Sequence, residues 1–96
     1  MIHHLVWFKL KDGISAEEKA VLQANLEEMA PQIPQILDMA CGEDFSGRSR
    51  GFDWGLWVKF ATREDGQIYD KHPAHQAFIA KSKHLWTDVV ALDFQA

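Results

Sequence analysis

Apolar residues fill most of the first segment of the chain, residues 2–10, and few polar side chains interrupt them. β-Branched and aromatic types are frequent there and Lys11-Asp12-Gly13 follows as a turn signal, which predicts a β-strand. Successive residues of a strand point to opposite faces. One face carries Ile2, His4, Val6, Phe8 and Leu10, and the other carries His3, Leu5, Trp7 and Lys9. Because a strand with one solvated face alternates between apolar and polar residues, we expect both faces of this one to be covered.

A helix is predicted from Ser15 to about Ala30. Ser15 and Glu18 have the spacing of a capping box, in which each side chain bonds the other residue's backbone amide. Pro31 and Pro34 follow and are expected to end the helix. Apolar residues at helical spacing form its predicted buried stripe, which consists of Val21, Leu22, Leu26 and Met29.

The remaining pattern predicts three further strands and a broken helical segment. The strands cover residues 35–45, 54–60 and 86–94, and a glycine-rich hairpin loop runs from Gly42 to Asp53. Helices are predicted over 62–71 and 73–83, because proline fits the first turn of a helix and the residue before it suits a cap. The order β-α-β-β-α-β is that of a ferredoxin-like α+β fold, with one antiparallel four-stranded sheet and helices on one face.

Composition limits the class of protein. Ninety-six residues make a single domain over 1–96, and the lone Cys41 cannot form a disulfide within the chain. The sequence contains neither a signal-peptide pattern nor an apolar run of membrane-spanning length, so we expect a cytoplasmic protein with no membrane partner. A net charge of −4 argues against nucleic acid as a partner.

Helices on one side leave the other face of the sheet open. That face would carry six large apolar residues, which are Leu5, Trp7, Trp57, Val90, Leu92 and Phe94. So much exposed apolar surface is unusual on a soluble monomer. A homodimer that packs the two sheets face to face would bury this surface, and we expect that arrangement.

One segment carries candidate chemistry, and its residues are Tyr69, His72, Pro73 and His75. If Pro73 begins a helix, His75 lies in its first turn, where the helix dipole favours the neutral imidazole that a general base needs. Tyr69 can donate a hydrogen bond to a carbonyl oxygen that gains negative charge. His4, on the helix-facing side of the first strand, can join them. The same residues can instead be structural, with His72 as a helix cap and the others as satisfied core residues.

The chain resembles the stress-responsive dimeric α/β-barrel (Dabb) domain family over nearly all of its length. The matching features are residues 4–11 (His-Leu-Val-Trp-Phe-Lys-Leu-Lys), Ile33-Pro34, Gly42, Gly51-Phe52-Asp53, the apolar third strand, Tyr69-x-x-His72-Pro73-Ala74-His75 and residues 89–94. The resemblance implies a ferredoxin-like monomer that pairs sheet to sheet with a second copy into a dimeric α+β barrel.

The resemblance also implies a pocket between sheet and helices. A plant polyketide cyclase of this family uses a tyrosine and a histidine for an aldol cyclisation, and the matching residues are Tyr69 and His75, with His4 beside them. The implied lining is Val6, Phe8, Leu22, Leu26, Trp54, Leu56, Val58, His72, Trp86, Val89 and Ala91. Trp54 stands where the cyclase has a histidine, so we expect a pocket of different shape.

Two functions from different classes follow. The first is a dimeric protein that binds an apolar or aromatic small molecule without turning it over, or that acts in stress tolerance through its own stability. The alternative is a cofactor-free cyclase or lyase in which His75 takes an acidic α-proton and Tyr69 steadies the enolate oxygen. The two differ in whether Tyr69 and His75 converge on an open cavity or pack against each other. We expect no cofactor and no metal, since no carboxylate or thiolate completes an obvious ligand set.

Overall fold

The elements follow the predicted β-α-β-β-α-β order, with the second helical unit split in two. A computed structural model describes all 96 residues, Met1 to Ala96. Its elements are β1 (Ile2–Leu10), α1 (Ala16–Met29), β2 (Asp38–Glu43), β3 (Trp54–Phe60), α2 (Arg63–Lys71), α3 (Pro73–Ser82) and β4 (Trp86–Gln95). Short 3-10 turns, Ala30–Gln32 and Lys83–Leu85, extend α1 and α3. The predicted ferredoxin-like α+β fold is therefore confirmed.

The sheet is antiparallel, and its four strands lie in the order β2-β3-β1-β4. The register places His4 between Val58 of β3 and Asp93 of β4. Four residues further along β1, Phe8 lies between Trp54 and Val89. Because a strand turns alternate residues to the same face, these two rungs of the ladder point toward the helices.

The core lies between the sheet and α1. Leu22, Leu26 and Met29 are buried at spacings of four and three residues, which places them on one side of α1. Val21 was expected in the same stripe, but it is 50% exposed. This expectation was wrong because a neighbouring residue lies about 100° away around a helix, and here that angle turns Val21 to solvent.

The predicted starts of α1 and α3 are confirmed by their caps. The Ser15 hydroxyl accepts a hydrogen bond from the Glu18 amide, and the Glu18 carboxylate accepts one from the Ser15 amide. At the break between α2 and α3, Pro73 is the first residue of α3 and His72 is its N-cap. The Nδ1 atom of His72 accepts a hydrogen bond from the Ala74 amide at 3.0 Å.

Strand β2 is shorter than the predicted 35–45. The chain after Pro34 forms a turn, in which the Ile36 amide donates to the Ile33 carbonyl, and regular pairing with β3 begins at Asp38. The hairpin loop accordingly begins after Glu43. None of the helices is long and apolar enough to cross a membrane.

The helices do not cover the edge strand β4. Its helix-facing residues Val89, Ala91 and Asp93 are all exposed, although they lie opposite Phe8, Val6 and His4 in the register. We call this uncovered row, Val89, Ala91 and Asp93, the β4 shelf. It is a strip of partly apolar surface directly beside the packed core.

The opposite face of the sheet carries no helix. We call it the open face, and its large apolar residues are Leu5, Trp7, Trp57, Val90, Leu92 and Phe94. Four of them are about half exposed: Trp7 at 50%, Val90 at 46%, Leu92 at 57% and Phe94 at 45%. The predicted location of this apolar set, on the side away from the helices, agrees with the register.

Candidate functional site

Three of the predicted site residues meet at one end of the sheet. Tyr69, in the last turn of α2, is only 2% exposed. Its ring centroid lies 4.3 Å from that of His75 on α3 and 5.5 Å from that of His4 on β1. The ring centroid of Phe60 lies 5.2 Å from that of Tyr69. The Tyr69 and His75 rings therefore pack against each other, with His4 at the edge of the phenol.

Asp93 orients His4. The Nδ1 atom of His4 lies 2.6 Å from Asp93 Oδ1. Because a carboxylate can only accept, Nδ1 carries the proton, and in the neutral imidazole Nε2 keeps its lone pair. Our sequence prediction did not include Asp93. The sequence did contain an indication of its role, because Asp93 is an acidic residue at a helix-facing position of a largely apolar strand. In the structure it lies directly opposite His4.

A backbone carbonyl orients His75 in the same way. Its Nδ1 atom lies 3.0 Å from the carbonyl oxygen of Asp70, which also accepts a hydrogen bond from the side chain of Gln76 at 2.6 Å. A carbonyl oxygen only accepts, so Nδ1 is again the protonated nitrogen and Nε2 is the free base. His75 is the third residue of α3, as predicted.

Tyr69 stays a neutral phenol. Burial raises its pKa above the ordinary tyrosine value, and the negative charges of Asp70 and Asp93 raise it further. Gln35 Oε1 is the one enclosed side-chain nitrogen or oxygen without a hydrogen-bond partner. The Tyr69 hydroxyl also has no partner within the chain, so it reaches accessible space at the edge of the cluster. A neutral hydroxyl there can donate a hydrogen bond.

His72 belongs to the helix break rather than to this cluster. Its Nδ1 is occupied as the cap of α3. The predicted role of His72 in substrate contact stays a prediction, while its predicted capping role is confirmed.

Most of the predicted lining residues lie in the packed core. The seven apolar ones with at most 8% exposure are Val6, Phe8, Leu22, Leu26, Trp54, Leu56 and Val58. Only Val89 and Ala91 are exposed, and both belong to the β4 shelf. A molecule that reached the cluster without opening the core would therefore lie on the shelf.

The structure does not bring the two predicted wall tryptophans to the cluster. Trp54 on β3 pairs with Phe8, which is four residues from His4 along β1, a distance of about 13 Å. The Nε1 atom of Trp54 donates a hydrogen bond to Gln23 Oε1 on α1 at 3.1 Å. Trp86 packs against Phe8 at 4.8 Å between centroids and against Phe78 at 6.0 Å. Both side chains fill the other end of the layer between sheet and helices.

Two cavities lie elsewhere on the molecule. One of about 840 Å³ is lined by the open face and by the hairpin loop. Another of about 880 Å³ has a mostly polar lining that includes Lys9, Lys19 and Asp53. Neither is lined by Tyr69, His75 or His4. No group of three or more His, Cys, Asp or Glu side chains is placed to hold a metal ion.

Comparison with known proteins identifies the family of the chain. The model of the stress responsive A/B barrel domain matches residues 2–96. An uncharacterised protein of Streptomyces coelicolor is 35% identical over 94 residues, which cover 95% of this chain and 96% of that protein. Olivetolic acid cyclase of Cannabis sativa is 26% identical over 95 residues, which cover 97% of this chain and 94% of the cyclase.

The fold comparison agrees. A crystal structure described as a dimeric ferredoxin-like protein of unknown function from Thermobifida fusca superposes with a TM-score of 0.88 at 22% identity, covering 99% of this chain and 90% of that one. The expected resemblance is thus confirmed by both sequence and fold. The chain belongs to the stress responsive A/B barrel domain family.

Proposed function

We propose that this protein binds a small apolar or aromatic molecule on the β4 shelf, with the polar end of that molecule at the cluster of Tyr69, His75 and His4. One observation carries the proposal: the cluster holds a hydroxyl and two imidazole nitrogens without partners in the chain, and it borders an exposed, partly apolar strip. Apolar surface with a few convergent polar groups is the usual composition of a small-molecule site.

The polar groups favour a carbonyl compound as the ligand. Tyr69 is a neutral donor, which suits a carbonyl oxygen. The Nε2 atoms of His75 and His4 are acceptors, since their Nδ1 protons are already used. A ligand that offers an acceptor and an adjacent hydroxyl or acidic C–H satisfies both kinds of group, and its apolar part would cover Val89 and Ala91.

We also propose that the protein is a homodimer joined through the open face. The half-exposed Trp7, Val90, Leu92 and Phe94 support this, because burying apolar surface supplies free energy at about 25 cal/mol per Å². The dimeric description of the Thermobifida fusca protein, which has the same fold, supports it as well.

Ligand titration followed by NMR tests the binding proposal. A panel of aromatic and polyketide-like carbonyl compounds is expected to shift the amide resonances of β4 and of α3. Ala91→Leu fills the shelf and should weaken binding about tenfold. Ala77→Leu makes the same change at an exposed position of α3 and serves as the control. If both variants bind a panel member as tightly as the parent chain, the ligand does not lie on the shelf.

The second candidate function is cofactor-free acid–base catalysis, of the kind a cyclase or lyase performs. The observation in its favour is the pair of imidazoles with protonated Nδ1 and free Nε2 on either side of a neutral phenol. His75 Nε2 would take the α-proton of a bound carbonyl compound, the C–H electron pair would move to the carbonyl oxygen, and Tyr69 would stabilise that enolate. The enolate carbon then attacks a second carbonyl, and the enolate returns to a carbonyl as the new C–C bond forms. The π pair of the attacked carbonyl moves to its oxygen, and the resulting alkoxide takes the proton back from His75 Nε2.

Exchange of the α-protons of a bound compound with deuterated solvent tests this step without knowledge of the product. His75→Ala should abolish exchange. Tyr69→Phe should slow it by roughly 10–1000-fold, which is the scale of losing one oxyanion donor. Circular dichroism of both variants checks that the fold survives. If the parent chain binds a compound but does not exchange its α-protons, the binding proposal stands and this catalytic step is excluded.

A further inference from the structure

A fully exposed phenylalanine stands on the hairpin loop between β2 and β3. Phe45 is 100% exposed, whereas the next most exposed large apolar residue, Leu92, is at 57%. A solvated phenyl ring forgoes the hydrophobic free energy that burial would contribute. Its side chain has no part in the core, so the fold of one chain gives no reason for it.

The loop that carries Phe45 is held in one shape. Asp44 accepts hydrogen bonds from the amides of Ser46 and Gly47 and from the hydroxyl of Ser46. These bonds lower the pKa of the Asp44 carboxyl, with the Ser46 hydroxyl as the leading cause. At its base, the loop is fixed by a bond from the Asp44 amide to the Asp53 carbonyl at 2.8 Å. Phe45 is thus presented on an ordered loop that holds it away from its own chain.

The loop stands beside the open face. Phe45 forms part of the rim of the 840 Å³ cavity, whose walls include Leu5, Trp7 and Trp57 of that face. Arg48 and Arg50 lie on the same rim, and neither is in an ion pair within the chain. The exposed phenyl ring and the open face therefore form one continuous surface.

We infer that Phe45 of each protomer packs against the second copy in the homodimer and forms part of its interface. The inference rests on the proposed dimer. A body that covers the open face and fills this cavity adjoins the loop, because Phe45 and the open face line the same cavity. In a two-fold dimer each such contact is made twice. Aromatic residues and arginine are the types enriched in protein interfaces, and Trp7, Trp57, Phe45, Arg48 and Arg50 lie together here.

A second copy fits this surface better than a small molecule does. The open face extends beyond the cavity to Val90, Leu92 and Phe94 on β4, which a ligand in the cavity would leave exposed. Only a body as broad as the sheet covers both regions, and the sheet of another copy has that breadth.

Sedimentation equilibrium of Phe45→Ser tests the inference. The dimer dissociation constant should rise roughly 10–100-fold, the range of an interface residue of ordinary to high importance. Val21→Ser is the matched control, because Val21 is 50% exposed on α1, on the far side of the helical layer, and should change nothing. An unchanged constant for Phe45→Ser would overturn the role of the loop and leave the dimer in place. A monomeric parent chain would overturn both.

Photo-crosslinking locates the contact. A benzoylphenylalanine at position 45 should give a product of twice the chain mass, with the crosslink in peptides of the open face. The same group at position 21 should give none. If position 45 crosslinks only within its own chain, or gives no product while the parent chain is a dimer, Phe45 does not contact the second copy. None of these results depends on ligand binding at the β4 shelf, so a failure of that proposal is measured separately.

Discussion

His4 and Asp93 face each other across the β1–β4 ladder, with Nδ1 and Oδ1 2.6 Å apart. The contact depends on register, because a shift of one residue would turn Asp93 to the opposite face of the sheet. Since β4 is uncovered on this side, the Asp93 side chain is 60% exposed while that of His4 is 12% exposed. The pair therefore joins the buried phenol of Tyr69 to the solvent-exposed shelf.

Asp93→Ala should allow His4 to adopt both neutral tautomers. In the parent chain we expect a single tautomer protonated at Nδ1, and in the variant a mixture in which the Nε2-protonated form gains. Long-range ¹H–¹⁵N NMR of the imidazole distinguishes the two forms. Asp88→Ala removes another exposed carboxylate of the same strand and should leave the His4 signals in place. If His4 keeps one Nδ1-protonated form in Asp93→Ala, the carboxylate does not control it.

Tyr69 should resist ionisation. It is the only tyrosine of the chain, so tyrosinate absorbance reports on it alone. Burial raises its pKa, so the unfolded chain releases this proton at lower pH than the folded one. The buried neutral phenol therefore contributes its full stabilisation of the folded state below about pH 10, and this stabilisation is lost as the pH rises further. We expect tyrosinate to appear only together with alkaline unfolding by circular dichroism. Tyrosinate in the folded protein near pH 10 would contradict this.

Leu26→Ala should be strongly destabilising. Leu26 is 0% exposed in the layer between α1 and the sheet, and truncating a buried leucine costs about 2–5 kcal/mol. Val21→Ala, five residues earlier on the exposed side of α1, should cost under about 1 kcal/mol. Urea unfolding gives both values. Leu26 was predicted as pocket lining, and a loss below about 1 kcal/mol would favour that role over the core.

His72→Ala should remove the cap of α3. Loss of an N-cap side chain costs about 0.5–2 kcal/mol, and asparagine, a favoured N-cap residue, should restore most of it. Thermal unfolding of His72→Ala and His72→Asn measures the difference. Equal stability of the two variants would show that the hydrogen bond to the Ala74 amide contributes nothing.

Leu92→Asp should dissociate the dimer. A carboxylate on the open face would be buried without a partner, which opposes association by several kcal/mol. Leu37→Asp is the matched control, because Leu37 is 53% exposed against 57% for Leu92 but lies outside the open face. Light scattering at micromolar concentration gives the mass of each. A Leu92→Asp variant that stays dimeric would place the interface elsewhere.

Local signals in the sequence predicted local structure well. The strand 2–10, the Ser15–Glu18 cap and the break at His72-Pro73 each depend on residues close in the chain, and each is confirmed. Tyr69, His75 and His4 also lie together, and strand parity with the helix break pointed to this, but neither of the two cavities described above is lined by them.

Features that depend on how far the helices extend over the sheet were not predictable in this way. Nothing in residues 86–94 indicates that Val89 and Ala91 face the helices yet stay exposed, because that follows from the placement of α2 and α3. Trp54 shares a face with the cluster but lies at the other end of β3, and strand parity carries no information on distance along the strand. Asp93 required the register of two strands that are distant in sequence.

The break at His72-Pro73 has a geometric consequence for the Tyr69–His75 pair. On one continuous helix, residues six apart would point about 120° away from each other and lie about 9 Å apart along the axis, too far for ring contact. The observed 4.3 Å between centroids exists because the two residues sit on different helices that meet at a corner. A variant that made 63–82 one straight helix would keep every functional group and lose their meeting point, so the backbone corner is itself a component of the site.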